Sequence, residues 1–454
     1  MSAVTASVIM LRGTSPRLEV FWVERSPKAS FLSGFRAFPG GHLEPGDGEG
    51  DQGLRAAALR ELMEETGVSL QGDLLEPAGL WTTPPYLVVR MTSHFFTARV
   101  GHDVEPVVTE AQSGGELTSG EWIRPEDALS RWSESRVLLA PPTLFILRAL
   151  QRGADVDSSL FTEIPETRGE ASRFALIRPH ITLFPVRTPT LPPATHTNVY
   201  VYGTDTLAVI DPASPYEDER VALIEHLEAR VKGGSTLSAI LLTHGHHDHI
   251  GGAAHLAAHF GCPIWAHADL EHSLPFPVAR VLHDGLVLKF GDHALRCLYT
   301  PGHAPGHLVY WDEATDTAIV GDLVAGVGTI LVDPDEGSMA LYLDSLRRIR
   351  ARGASALLPS HGGVIGGAES KLTDYIRHRE WREKKVLETL GPSPIPQAML
   401  LERVYDDVAP WLWPIALMSL RAHLYKLRDE GLVFEGRDES ETTWRSEVTV
   451  SSTP

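Results

Sequence analysis

At 454 residues the chain is too long for one ordinary domain and predicts three, and a composition of 43% hydrophobic and 22% charged residues excludes a disordered or fibrous protein. A formal net charge of -19 argues against long-range capture of polyphosphate backbones unless a local basic face or bound cations offset the field. With only Cys262 and Cys297 present, a disulfide framework is excluded, and both are expected as small buried side chains in a reducing compartment.

The start, "MSAVTASVIMLRG", has no basic segment ahead of its short apolar run, which predicts a first strand rather than a signal peptide. No run approaches the ~20 apolar residues that a membrane-crossing helix needs. The expectation is therefore a cytoplasmic protein with no membrane partner. Residues 1–152 alternate strand-like runs ("ASVIML", "LEVFWVER", "SHFFTARV") with one long helical pattern, "LRAAALRELMEETG", which Gly67 ends.

That helix carries the first chemical signal. Glu61 and Glu65 are four residues apart and Glu64 is three from Glu61, so three carboxylates share one face. Like charges this close call for cations, and Mg2+ or Mn2+ carrying a diphosphate would supply them. "FPGGHLEPGD" with "LRELMEETGV" resembles the Nudix box, with Gly41 at its start and Arg60, Glu61, Leu62, Glu64, Glu65, Gly67 and Val68 in its second half. The resemblance implies an α/β/α sandwich, a nucleoside diphosphate substrate, metal-binding roles for Glu61, Glu64 and Glu65, and catalytic roles for Glu61 and Glu65. Two departures stand out. Asp47 occupies a position expected to be Glu, and residues 48 to 59 number twelve where the pattern has seven, an insertion of five that a surface loop can absorb. The stretch "WTTP" followed by Arg90 and "FF" resembles the peroxisomal coenzyme A diphosphatase branch of that family.

Residues 153–173 lose periodicity and gather Gly, Pro and acidic residues, as a linker does. From 174 to 368, short β-rich runs alternate with turns, and histidines recur where the strands end. "AILLTHGHHDHIGG" is the densest case: a buried strand runs into a turn, expected to depend on Gly245, that presents His244, His246, Asp248 and His249. Imidazole and carboxylate together suit zinc and other first-row divalent metals. His303 in "TPGHAPGH", Asp322 in "IVGD" and His361 in "LPSHGG" are three further strand-end residues.

Together these seven residues resemble the ligand signature of the metallo-β-lactamase superfamily. The resemblance implies an αββα sandwich with two zinc ions at one edge: His244, His246 and His303 on one, Asp248, His249 and His361 on the other, and Asp322 bridging. It also implies a shared hydroxide as nucleophile against an ester, thioester or phosphodiester. Asp248 and His307 are the catalytic candidates here, His307 either as leaving-group acid or as support behind the ligands. His247 is expected to face solvent, and His255 and His259 to be surface or packed residues.

Residues 369–437 form a charged helix and, after "GPSPIP", a compact helical segment in which Leu417, Leu420, Leu424 and Leu427 bury one face. This part resembles the winged-helix cap of the lactamase-beta-like group, some of which are endoribonucleases that prefer single strands. Arg421, His423, Lys426 and Arg428 are its candidate phosphate contacts. The polar end, residues 438–454, is expected to be disordered.

The sequence thus predicts an α/β multidomain hydrolase: an N-terminal Nudix sandwich, a central αββα sandwich and a small C-terminal winged-helix-like domain. The expected substrates are small molecules, a nucleoside diphosphate derivative or acyl-coenzyme A. The alternative is an endoribonuclease acting on single-stranded RNA, with a regulatory or inactive nucleotide-binding Nudix domain.

Overall fold

The computed structural model describes residues 3–29, 31–83, 90–153, 173–438 and 441–447. The expected linker lies almost wholly outside the described residues, as do residues 84–89.

In the N-terminal unit an eight-stranded mixed sheet is sandwiched between helices. Its central strand, Ala3–Arg12, sends alternate side chains to opposite faces, both of them covered. Ala6, Val8 and Met10 pack under the helix Gly50–Thr66, while Ile9 and Leu11 pack under the helices Pro125–Ser133 and Pro141–Gln151. The result is an α/β/α sandwich. The insertion between Asp47 and Arg60 is taken up mainly by the helix, which begins at Gly50, rather than by a longer loop.

The central unit has four layers. One sheet holds seven strands from Ala175–Arg178 to Arg280–Leu282, and the other holds five, Val287–Phe290 to Ala356–Pro359. Residues of both sheets form the apolar layer between them, among them Tyr200, Tyr202, Ile210, Leu241, Leu295, Tyr310 and Leu358. The outward partners of the first sheet, Val199, Val201 and Val209, lie under the helices Glu217–Lys232 and Ala253–Phe260. Met339–Arg352 and Ala368–Thr389 cover the second sheet. This is the αββα arrangement. Cys262 and Cys297 are free and buried.

The two units share apolar surface: Phe35, Leu138 and Ala140 join Ile177 and Ile181 in one core. Gly366 approaches Gly34 so closely that a methyl group on Gly366 would lie 2.3 Å from the Ser33 carbonyl.

The C-terminal unit packs the helices Gln397–Val404 and Trp413–Asp429 against a three-stranded sheet. Leu420, Leu424 and Leu427 are in its core and Leu417 is at its margin. The expectation of disorder from residue 438 onward needs correction at its start. Glu441–Arg445 is a strand paired with Phe434–Asp438 and with Ile395–Pro396, because Trp444 is 1% exposed in this core and its ring nitrogen donates to Gln397. No helix among the described residues is long and apolar enough to cross a membrane.

Candidate metal centres

The strand Thr236–Leu241 delivers Thr243 to the edge of the sandwich, where Asp211 accepts both its backbone N–H at 2.7 Å and its hydroxyl at 2.6 Å. The turn that follows does not rely on left-handed backbone at Gly245; a side chain there would instead press on Leu270 at 3.2 Å.

Hydrogen bonds behind each imidazole fix which nitrogen faces forward. Because the Thr243 hydroxyl donates to Asp211, it accepts from His244 Nδ1 at 3.0 Å and leaves His244 Nε2 as a lone pair. His303 Nδ1 donates to the Leu331 carbonyl at 2.7 Å, and His246 Nε2 faces Glu336 at 3.2 Å. The remaining nitrogens converge: His246 Nδ1 lies 3.0 Å from His244 Nε2 and 3.1 Å from His303 Nε2. Three lone pairs aimed at one another repel unless a cation lies between them. Burial holds His244 well below the ordinary imidazole range and takes His303 down to about 4, so both are neutral, as ligands must be.

The second group has the opposite charge balance. His249 Nδ1 donates to Asp211 at 2.9 Å and His361 Nδ1 to the His196 carbonyl at 3.0 Å. Their Nε2 atoms face Asp248 at 4.0 and 3.5 Å and Asp322 at 3.6 and 3.4 Å. Burial alone would depress His249, but the carboxylates of Asp322, Asp248 and Asp211 outweigh it and push it well up. A pocket that holds a proton so firmly calls for positive charge.

Asp322 stands between the groups, with one oxygen toward His249 and His361 and the other 3.6 Å from His303. His249 Nε2 and Asp322 Oδ1 are buried without a hydrogen-bond partner. Ligand atoms of His244, His246 and His303, of His244, His249 and Asp322, and of Asp248, His249 and His361 all lie within 4.8 Å of one another inside each group. Orphaned acceptors and converging lone pairs fit a pair of divalent cations.

His307 lies behind this cluster, fully buried. Its Nδ1 bonds Thr300 at 2.9 Å and its Nε2 accepts the Asp322 N–H at 3.1 Å, while burial takes it down to about 3. His247 and His255 are exposed, and His259 is exposed beside Glu228. Asp211, Glu336 and the carbonyls of Leu331 and His196 are the orienting partners that motif reading missed.

In the N-terminal unit, Glu65 is 5% exposed and accepts the Gly40 N–H at 2.8 Å, and burial pushes it up to about 8. Glu61 is also raised, first by burial, and lies over Gly41, where a methyl group would sit 2.3 Å from its carboxylate. Arg60 spans the face: it donates to both oxygens of Asp47 at 3.1 and 3.0 Å, to Glu61 at 3.0 Å and to the exposed Glu64 at 3.2 Å. Asp47 thus forms a two-bonded pair with the arginine, its shorter side chain notwithstanding. Glu116, not picked out from sequence, adds negative field to Glu61 and Glu65. Among the described residues these carboxylates converge less tightly than the histidine cluster, yet their crowding fits a cation.

The four basic side chains of the cap are engaged within the protein. Arg421 pairs with Asp335, His423 is buried against Glu383, Lys426 pairs with Glu383 and Glu430, and Arg428 pairs with Asp429 and Glu435.

The profile of the Metallo-beta-lactamase superfamily matches residues 192–361. An atrochrysone carboxyl ACP thioesterase from Aspergillus fumigatus is 31% identical over 53% of this chain and 79% of its own length. The chain belongs to the metallo-beta-lactamase superfamily. Its N-terminal residues 1–140 match the NUDIX domain, and residues 398–444 match the beta-lactamase associated winged helix domain. This superfamily member is also 27% identical to a beta-lactamase-like protein 2 homolog from Caenorhabditis elegans, over 52% of this chain and 80% of that one. With the lactamase-like protein nscB of Arthroderma gypseum it shares 34% identity, but it spans only 47% of that relative's length. A metallo-beta-lactamase family protein from Thermus thermophilus matches with a TM-score of 0.50 at 25% identity, over 60% of this chain and all of that one. A beta-lactamase domain protein from Burkholderia ambifaria gives 0.54 at 21% identity, over 60% and 93%, which supports the fold alone. The chain is a hydrolase with two hydrolase-type domains.

Proposed function

We propose that the two domains are two working heads. In this reading the histidine-rich centre hydrolyses a thioester or ester, and the N-terminal centre splits a nucleoside diphosphate derivative. Acyl-coenzyme A compounds, which contain both bonds, are the shared substrate class. The convergence of imidazole nitrogens and carboxylates around Asp322 carries the proposal, and the thioesterase among the relatives supports the choice of bond.

His244, His246 and His303 would hold one zinc ion, Asp248, His249 and His361 a second, and Asp322 both. When bound, two such cations lower the pKa of water and polarise a carbonyl. The chain's own residues do the rest. The bonds behind each ring keep its lone pair forward, and His307 holds the Asp322 backbone, a positioning role, since neither of its nitrogens is free to donate. The cavity over the cluster, about 750 Å³, is walled by Leu191, Trp411, Leu412 and Ile415, apolar surface on which an acyl chain can lie out of water. In the other head Glu61, Glu64 and Glu65 would hold Mg2+ or Mn2+, a role that needs Glu65 as a carboxylate.

Thiol release from acyl-coenzyme A by the zinc-loaded protein tests the reading, with His246→Ala as control. Turnover abolished by the substitution supports it; intact thioester after prolonged incubation, or equal turnover in the variant, overturns it.

A further inference from the structure

The metal cavity has a second charged feature, separate from the ligand set. The helix Ala368–Thr389 turns His378, Arg379 and Arg382 toward it. Arg382, 2% exposed, is neutralised by Asp407 through bonds of 2.7 and 2.9 Å. Arg379, 3% exposed, has no bonded carboxylate: its Nη2 donates to Thr329 Oγ1 at 3.2 Å and to the Ile330 carbonyl, its guanidinium lies 5.5 Å from the centre of the Tyr342 ring, and its Nε has no hydrogen-bond partner.

None of the acids lining the same cavity is bonded to Arg379. Asp407 takes Arg382, Glu336 faces His246, Asp333 accepts the Asp335 N–H, and Asp248 and Asp322 belong to the histidine cluster. A guanidinium does not shed its proton to escape burial. Leaving it uncompensated is costly, and the cost is relieved by an anion. A ligand's anion would supply it here.

We propose that Arg379 is an oxyanion subsite of the metal centre, binding a phosphate or carboxylate that the substrate carries away from its scissile bond. A guanidinium N–H makes a charge-assisted bond with such a group. Its placement relative to the reacting bond is fixed, because adjacent carbonyls hold the two sites: Ile330 accepts from Arg379 and Leu331 accepts from His303. The proposal deepens the thioester reading and rests on it for the identity of the bond, but the anion site stands on the arginine alone.

Three thioesters separate the possible sources of the anion: a coenzyme A thioester, with phosphates on the thiol side; the N-acetylcysteamine thioester of a dicarboxylic acid, with a carboxylate on the acyl side; and an uncharged N-acetylcysteamine thioester. In Arg379→Gln the KM of one anionic substrate should rise about tenfold more than that of the uncharged one, the loss expected for a charge-assisted bond, and Arg379→Lys should recover part of it. The same variants are titrated with inorganic phosphate by calorimetry on the metal-loaded protein. Phosphate binding weaker by about tenfold in Arg379→Gln supports the subsite even if no thioester turns over, an outcome that would remove the thioester reading alone. Equal losses on charged and uncharged substrates, or unchanged phosphate affinity, overturn it. Thermal midpoints of both variants separate a lost ligand from a lost fold.

Discussion

His249 donates its Nδ1 hydrogen to Asp211 across 2.9 Å, and both side chains are at most 1% exposed. Asp211 also anchors Thr243, which orients His244 in turn, so one carboxylate aims a histidine in each half of the cluster. Its backbone is left-handed, a conformation that Asn tolerates. Asp211→Asn should therefore keep the fold and weaken zinc binding by about 10- to 100-fold, measured by competition with a chelator. Unchanged affinity would show that the orienting bonds do not matter.

His307 should prove a positioning residue. Burial leaves it neutral far below physiological pH, so no imidazolium is available to protonate a leaving group. His307→Gln is expected to lower kcat while both limbs of the pH–rate profile stay in place. Loss of the alkaline limb would identify it as the acid.

Glu65 makes stability depend on pH in the metal-free protein. Its carboxyl is raised from 4.5 to about 8 on folding, so the folded state binds more protons between those values. That contribution is fully present below pH 4.5 and is lost as pH rises through about 8. Urea unfolding should show stability declining across this window, with a flatter decline in Glu65→Gln and a gain from added Mg2+ above pH 8. Identical slopes in the two proteins would contradict it.

Arg60 ties Asp47, Glu61 and Glu64 together, all within the N-terminal unit. Arg60→Gln should reduce diphosphate cleavage and cost about 1–3 kcal/mol of stability in that unit. Thiol release at the other centre should be spared. A parallel fall in both activities would show that the heads are coupled.

The seven histidine and aspartate positions were readable because they follow strand ends, Asp248 and His249 on the short helix His247–Ile250 just beyond one, and a ligand set on such local connections depends little on remote packing. Asp211 was not readable: it precedes Thr243 by 32 residues and looks like the start of an ordinary Asp-Pro turn. Arg379 was hidden in "YIRHREWREKK", which reads as a solvated charged helix. Its burial follows from a stripe, Tyr375, Ile376, Arg379, Arg382, Glu383 and Val386, that has helical spacing but mixed polarity. Trp444 was the clue to the final strand, yet one aromatic residue in a polar tail carries no periodicity. The cap's basic residues were visible as charge, while their acidic partners on other elements were not.

Product analysis of acyl-coenzyme A incubated with zinc and magnesium tests the two-headed account most directly. Mass spectrometry should find free coenzyme A from one centre and acyl-phosphopantetheine from the other, the first abolished by His246→Ala and the second by Glu65→Gln. Intact substrate, or both products surviving either substitution, would contradict it.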